Sequence, residues 1–289
     1  MLRVLLFLLS LFFAHLSNAL IEATDDVGNS VRLQQPAQRI ISLAPNITEV
    51  LFHIGAGKQI IGADEHSNYP PVAKQILRVN NHATANYELI LSLQPDLVIA
   101  WQSGNGETIT RRIRELGIPI FVVETRRLTD IPKLFRQLGH LTGQSKQAQE
   151  MADLFTEDLY HLRIKNQAKK TIRTFYQIWS EPLITLNGEH MVSDVIRLCG
   201  GVNVFADAIP LVPYINIESI VAADPEVIIA GGSEQEQKMQ SAQWQKWPSI
   251  SAVKNRHIYT IPADLMQRHS DRILQGAQLM CDYLDRARS

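Results

Sequence analysis

The chain contains the stretch YELILSLQPDLVIA at residues 87–100, and the stretch IESIVAADPEVIIA at residues 217–230 repeats its pattern. Glu88, Pro95 and Ala100 each have their counterpart 130 residues later. Each copy is typical of a short helix with a glutamate near its start, a proline that ends the helix, and a buried strand. That order is common in α/β proteins, but the constant offset favours two lobes of similar construction.

Short apolar stretches alternate with helical ones through the first half of the chain. We predict strands at residues 39–43, 60–63, 96–101 and 118–124, and a helix at 110–116. A further helix follows the first strand, with Asn46 or Thr48 as its cap. Such alternation indicates a parallel sheet covered by helices. The predicted fold class is therefore α/β, with two lobes that are each a parallel sheet flanked by helices.

One long helix is predicted between the lobes. Residues 145–166 contain no Gly or Pro, and apolar residues recur there at helical spacing, namely Ala148, Met151, Ala152, Leu154, Phe155, Leu159 and Leu162. Because a helix is stiffer than a Gly/Ser tether, we expect little hinge motion. The predicted organisation is a signal peptide at 1–19, an N-terminal lobe at 20–143, an interdomain helix at 144–168 and a C-terminal lobe at 169–289.

The first residues have the pattern of a secretory signal. Arg3 precedes an apolar run at residues 4–13, and Ser17, Asn18 and Ala19 form a small-residue cleavage site. The alternative is a membrane anchor, but the run is shorter than the roughly 20 residues that cross a bilayer. We therefore expect cleavage after Ala19 and a mature protein outside the cytoplasm.

Composition narrows the choice of partners. The 289 residues include 28 Lys or Arg and 29 Asp or Glu, for a net charge of -1, so no broad basic surface is expected and nucleic acid is a poor candidate. Cys199 and Cys281 match no zinc or redox motif. They form either one bridge or none.

Common catalytic signatures are missing from the sequence. It has no Gly-x-Ser-x-Gly elbow, no Walker-type loop and no His-Glu-x-x-His pair. The nine His residues are scattered, which is more typical of capping and surface residues than of metal ligands. We predict no catalytic or metal-ligating residues, and a secreted α/β enzyme stays an unsupported alternative.

Three aromatic residues follow strands or stand in loops. Tyr69 precedes two prolines, Trp101 ends a buried strand, and Trp179 is expected at the matching position of the second lobe. Residues just past the carboxyl ends of parallel strands face the crevice where ligands bind. Rings that converge from both lobes suit a large, partly apolar ligand. Core packing explains each ring equally well when it is taken singly.

Glu88 and Glu218 occupy equivalent positions of the repeat. In two similar lobes they would form a roughly twofold pair of negative charges on one outer surface, suited to arginines of a symmetric partner. The alternative is that each carboxylate only stabilises a helix start through the macrodipole. The repeat favours the docking interpretation.

Four segments carry a family resemblance: ISLAPNITE at 41–49, SNYPP at 67–71, QPDLVIAW at 94–101 and CGGVNVF at 199–205. With them the chain resembles the periplasmic substrate-binding proteins of ABC importers that have a rigid helical backbone, and most closely those that bind vitamin B12 (cobalamin). The resemblance covers nearly the whole mature chain. It implies a monomeric, non-enzymatic carrier with no cofactor, which holds cobalamin or a related corrinoid as cargo between its lobes.

The resemblance also implies residue roles. Tyr69 and Trp101 match positions that line the corrinoid pocket, and Asp264 and Arg268 match a late loop that faces the same cleft. Where the vitamin B12 binders carry tryptophan, this chain departs from the pattern with His82, Val212 and Leu265. Trp179 and Tyr214 are candidates to replace the lost ring surface. His82 is expected either to contact the cargo or to be a plain loop residue.

The same resemblance implies a delivery partner and a covalent link. Glu88 and Glu218 match the acidic residues that dock onto arginines of the membrane permease, which works with its ATPase subunits. Cys199 and Cys281 match a cysteine pair joined as a disulfide. A haem or ferric-siderophore carrier of the same architecture is the alternative. Haem would use His82, and an anionic siderophore would use cations, for which the candidates are Arg78, Arg126, Arg127 and Arg268.

Overall fold

The computed structural model describes residues 20–81, 84–232 and 242–289. An antiparallel ribbon of β1 (Ile21–Thr24) and β2 (Ser30–Leu33) precedes a five-stranded parallel sheet. The strands of this sheet are β3 (Ile40–Ser42), β4 (Ile60–Asp64), β5 (Arg78–Asn80), β6 (Leu97–Trp101) and β7 (Ile120–Val123), in the order β5-β4-β3-β6-β7. The sheet is covered by α1 (Pro45–His53), α2 (Tyr87–Ser92), α3 (Gln102–Glu115, kinked at Gly106) and α4 (Asp130–Thr142). We call β1–β7 and α1–α4 the N-lobe.

The long helix α5 (Ser145–Asn166) follows at the bounds that the sequence pattern predicts. Ala148, Ala152, Phe155 and Leu159 are its buried apolar residues, whereas Leu154, predicted on the same face, is exposed. Helix α5 packs along α4, where Gly139 permits the approach because a Cβ there would overlap Ala148. It therefore lies against the N-lobe instead of spanning open solvent.

The second parallel sheet consists of β8 (Ile172–Gln177), β11 (Gly201–Asn203), β12 (Val227–Gly231) and β13 (Ile258–Ile261), in the order β11-β8-β12-β13. A hairpin of β9 (Trp179–Ser180) and β10 (Leu183–Ile184) stands apart from it. The same half of the chain contains the helices α6 (Met191–Leu198), α7 (Ile217–Ala223), α8 (Ser251–Lys254), α9 (Ala263–Met266) and α10 (Ile273–Arg288). We call β8–β13 and α6–α10 the C-lobe. The predicted α/β fold class is confirmed.

The two copies of the repeat distribute their strand residues between apolar clusters in the same way. Leu97 and Ile99 of β6 belong to the main apolar core and Val98 to a second cluster, because successive strand residues face opposite sides of a sheet. In β12, Val227 joins the main core and Ile228 a third cluster. Both strands are buried on two faces, as parallel strands between helices are.

The turn before each of these strands is also built alike. Asn86 and Asn216 cap α2 and α7 by accepting the backbone N–H three residues later, at 3.0 and 2.9 Å. Gln94 and Asp224 both adopt a left-handed backbone conformation. Nε of Arg39 donates to the carbonyl oxygen of Gln94, and Nε of Arg173 donates to the carbonyl oxygen of Asp224. The two lobes therefore share hydrogen bonds as well as sequence pattern.

The expectation that Asn46 or Thr48 caps the first helix was wrong. Helix α1 begins at Pro45, and its cap residue, Ala44, makes no side-chain hydrogen bond. Proline suits the first helical position because its missing N–H would have no partner there. The hydroxyl of Thr48 instead lies 2.8 Å from those of Ser42 and Ser67, inside the N-lobe.

The C-lobe contains a disulfide between Cys199, which follows α6, and Cys281 of α10. Both residues are buried in the main core. The bridge joins positions 82 residues apart and ties the C-terminal helix to α6. Among the helices described, none has the length and apolarity of a membrane span.

Candidate functional site

Trp101 ends β6 at the carboxyl edge of the N-lobe sheet, where ligands of open α/β sheets bind. Its indole meets the imidazole of His269, a C-lobe residue, edge to face at a centroid distance of 5.2 Å. Gly104 makes room for the indole because a Cβ at that position would overlap the ring. Trp101 therefore lies where the two lobes meet.

Tyr69 lies in the loop after β4, and 43% of its surface is exposed. The guanidinium carbon of Arg272, from the C-lobe, lies 4.0 Å from the centre of the Tyr69 ring. This is cation–π geometry, and it covers one face of the ring. An apolar surface of Tyr69 remains available to a ligand.

Trp179 is not the equivalent of Trp101, contrary to expectation. The sheet orders pair β6 with β12, whereas Trp179 lies in the hairpin after β8. There it is 61% exposed, and its indole N–H donates to the carbonyl of Glu181 at 2.9 Å. Tyr214 bridges to Ile184 of the same hairpin and is 74% exposed. The C-lobe thus presents two rings to solvent.

Arg268 takes part in a buried ion cluster that joins the lobes. Glu49 of α1 is paired with Arg268 and Arg272, each with an Nη1 to Oε1 distance of 2.9 Å. The hydroxyl of Ser270 donates to the other oxygen of Glu49 at 2.6 Å. We call Glu49, Arg268, Ser270 and Arg272 the Glu49 cluster. Only 1% of the Glu49 side chain is exposed, so these partners supply the counter-charge and hydrogen bonds that a buried carboxylate requires.

The rest of the Arg268 guanidinium is also occupied. It donates to Asn68 Oδ1 at 2.7 Å and to the His66 carbonyl at 3.2 Å, both in the N-lobe, and pairs with Asp264 Oδ1 at 2.9 Å. Asp264 remains partly exposed. The contact of Asp264 and Arg268 with cargo stays a prediction. If Arg268 contacts cargo, it does so with a guanidinium that already binds residues of both lobes.

Two imidazoles lie beside the cluster at the lobe boundary. The rings of His190 and His269 are 5.5 Å apart, and Nδ1 of His269 is 3.1 Å from the Thr125 hydroxyl. Burial lowers the pKa of His269 to about 4. Burial, and then the neighbouring His269, lowers the pKa of His190 to about 3. Both rings are neutral at neutral pH.

Other candidate residues fall elsewhere. His82 lies outside the described residues. Leu265 lines a groove between α5 and α10, together with Leu162 and Leu279. The arginines suggested for an anionic siderophore already have partners: Arg126 pairs with Glu124, Arg127 with Glu189, and Arg78 donates to two backbone carbonyls. The described ranges, 20–81, 84–232 and 242–289, hold no group of three His, Cys, Asp or Glu side chains arranged for a metal ion.

Glu88 and Glu218 are exposed residues in the first turns of α2 and α7, next to the caps Asn86 and Asn216. Neither carboxylate has an ion pair within the described part of the chain. Each helix leads through a tight turn into a parallel strand, so its start lies toward the carboxyl edge of its sheet. Their sharing of one surface stays a prediction.

The chain matches the family model described as periplasmic binding protein over residues 40–265. It is 37% identical to a vitamin B12-binding protein of Vibrio cholerae over 86% of this chain and 90% of that one, and 33% identical to the Vibrio parahaemolyticus protein of the same name over 87% and 90%. The crystal structure of the periplasmic vitamin B12 binding protein BtuF of Vibrio cholerae superposes with a TM-score of 0.82 over 87% of this chain and 98% of BtuF. The haem binding protein HmuT, at 19% identity and a TM-score of 0.76 over 93% of this chain and 90% of HmuT, shares the fold.

Sequence reasoning missed Glu49, Arg272, His190 and His269. Glu49 carried a signal, since it is the one charged residue in segment 46–51 of α1, all of which is buried. A carboxylate in such a segment requires a buried cation. The partner could not be identified, because Arg268 lies 219 residues away in the sequence.

We predict that Glu49→Gln lowers the free energy of unfolding by about 3–5 kcal/mol, because Arg268 and Arg272 lose their buried counter-charge. Urea denaturation of purified protein measures the change. Glu115→Gln is the matched control, since Glu115 pairs with Arg112 on the exposed surface of α3 and such pairs contribute little. Equal stability of the two variants would contradict a lobe-joining role for Glu49.

The histidine pair predicts acid sensitivity. The unfolded chain takes up protons near the ordinary histidine pKa of 6.5, whereas in the folded protein His269 resists protonation until about pH 4 and His190 until about pH 3. The stability that the neutral pair contributes is therefore fully present above pH 6.5 and is lost as pH falls from there through 4 toward 3. Urea denaturation at pH 7, 6 and 5 measures this slope.

Replacing His190 and His269 by Gln should flatten the slope, whereas His161→Gln, at an exposed site on α5, should leave it unchanged. The comparison isolates the imidazoles because Asp64 and Asp271, whose pKa values burial raises, are present in all three proteins. An unchanged slope in the double variant would show that the pair is accessible to protons in the folded protein.

Proposed function

Because the chain belongs to the periplasmic binding protein family, we propose that it is the solute-binding component of an ABC importer and that it carries cobalamin or a related corrinoid between its lobes. The observation that carries the proposal is the 37% identity to a vitamin B12-binding protein, which spans both lobes. The cargo is bound and released without chemical change, and the protein needs no cofactor of its own.

Four aromatic rings, of which Trp101 is partly buried and the other three are exposed, suit such a cargo. A corrin is a large ring system with apolar faces and amide side chains at its edge, and burial of apolar faces against aromatic rings gives most of the binding energy in sites of this kind. Tyr69 and Trp101 supply rings from the N-lobe, and Trp179 and Tyr214 from the C-lobe. The disposition of the rings on both lobes supports a cargo that spans the boundary.

Secretion follows from the same assignment. The family is periplasmic, and residues 1–19 would be the signal peptide that directs export, with cleavage after Ala19. The mature protein would act as a monomer. It would meet the permease and its ATPase subunits at the inner membrane, and Glu88 and Glu218 would contact arginines of the permease.

A haem carrier is the second candidate. The haem binding protein HmuT and the haem-binding protein BhuT share this fold at TM-scores of 0.76 and 0.77. At sequence identities of 19% and 17%, these two likenesses support a common fold and not a common cargo. The 37% identity to a vitamin B12-binding protein favours the corrinoid.

Calorimetry of residues 20–289 against cyanocobalamin, haemin and a ferric siderophore tests the proposal. We expect tight one-to-one binding of cyanocobalamin. Tyr69→Ala and Trp101→Ala should each weaken it by about 1–3 kcal/mol, the effect of removing a contact ring. Tyr160→Ala removes a ring that is more exposed than that of Tyr69, but on α5, and should change nothing. No heat with the corrinoid, and tight uptake of either other ligand, would overturn the assignment.

The docking role predicts a separation of delivery from binding. Charge reversal by Glu88→Lys and Glu218→Lys should abolish uptake of labelled cobalamin in cells that carry the permease, yet spare the affinity measured by calorimetry. Glu150→Lys with Glu157→Lys makes the same charge change on exposed residues of α5 and should transport normally. Weakened affinity in the first pair would place those carboxylates in the pocket instead.

A further inference from the structure

We infer that Arg272 is a positioning residue for the cargo site, because this C-lobe side chain holds the Tyr69 ring of the N-lobe in place for the cargo. The inference rests on the proposed function in so far as Tyr69 contacts cargo. It concerns a residue that neither the repeat nor the family resemblance singled out.

The planar guanidinium of Arg272 makes two contacts, one through its edge and one through its face. The edge of its guanidinium donates to Glu49 Oε1 at 2.9 Å, while its carbon lies 4.0 Å from the centre of the Tyr69 ring. Its side chain is largely buried. Because Glu49 fixes the guanidinium, the ring that stacks on it is fixed as well. A lysine ammonium would keep the charge and the pairing with Glu49, but it has no planar face to stack.

The loop residues that precede Tyr69 are held from the same side. Arg268 donates to Asn68 Oδ1 at 2.7 Å and to the His66 carbonyl at 3.2 Å. Residues 66–69 are thus tied to the C-lobe segment 268–272 by Arg268 at the Asn68 side chain and the His66 carbonyl, and by Arg272 at the Tyr69 ring. Partners within the N-lobe hold Ser67 of the same loop, so Arg272 is the contact that acts on the ring itself.

This arrangement has a consequence for binding. A ring that is already oriented loses little freedom when the cargo arrives, so more of its contact energy appears as affinity. One face of the ring is covered by Arg272, and 43% of the residue's surface is exposed. Arg272 therefore contributes to affinity through Tyr69, without contact of its own with the cargo.

The test compares Arg272→Lys with Arg286→Lys. Arg286 lies over the rings of Tyr283 and Tyr259 at 5.4 and 6.0 Å on the C-lobe, so it undergoes the same chemical change away from the lobe boundary. Calorimetry with cyanocobalamin should show affinity about three- to tenfold weaker for Arg272→Lys, the scale of one cation–π contact, and no change for Arg286→Lys. Equal affinity of Arg272→Lys and the unmodified protein would overturn the inference.

A double-mutant cycle shows whether the effect passes through Tyr69. In the Tyr69→Ala background, Arg272→Lys should cause no further loss of affinity, because there is no ring left to position. A full three- to tenfold loss in that background would mean that Arg272 acts by another route, and the positioning role would be wrong.

A readout without cargo separates this inference from the proposed function. Amide hydrogen exchange of residues 66–75 in the free protein should be faster in Arg272→Lys than in Arg286→Lys, while the rest of the chain exchanges alike. Unchanged exchange of that loop would refute the positioning role. If the unmodified protein binds no corrinoid, the proposed function fails, and the exchange measurement still decides whether Arg272 holds the loop.

Discussion

The arrangement of the two lobes depends on one buried carboxylate. Glu49 enters from the first helix of the N-lobe and meets Arg268, Ser270 and Arg272 of the C-lobe. Asp264, which is partly exposed, also pairs with Arg268 from outside the cluster. Such a cluster is stable only when all its members are present, because each removed charge leaves another buried without a partner. The lobes are therefore held at one relative position by charge pairing as well as by the helix between them.

The apolar core extends this constraint. The main core is continuous from the strands of the N-lobe through α5 to β8, α6 and α10 of the C-lobe, so the lobes are not independent bodies joined by a tether. The rings of Tyr69 on the N-lobe and of Trp179 and Tyr214 on the C-lobe are exposed. Lobes that share one core suit a carrier whose geometry is set before the cargo arrives.

The sequence allowed the lobes to be predicted but not the contacts between them. Burial on both faces of β6 and β12, the caps at Asn86 and Asn216, and the bounds of α5 all arise from neighbouring residues, which periodicity records. The Glu49 cluster joins positions more than 200 residues apart, and no local pattern encodes such a pairing. Trp179 was misplaced for a related reason. The sequence shows that it follows a strand, but only the sheet order shows that this strand, β8, is not the counterpart of β6.

Solution scattering of the free and the cyanocobalamin-saturated protein tests the central claim most directly, since the radius of gyration reports the separation of the lobes. The Glu49 cluster, the shared core and α5 together predict the same radius of gyration in both states within error, with occupancy verified from the bound corrinoid's absorbance. A clear contraction on saturation would mean that the lobes swing shut around the cargo, and it would contradict a carrier whose geometry is set before binding.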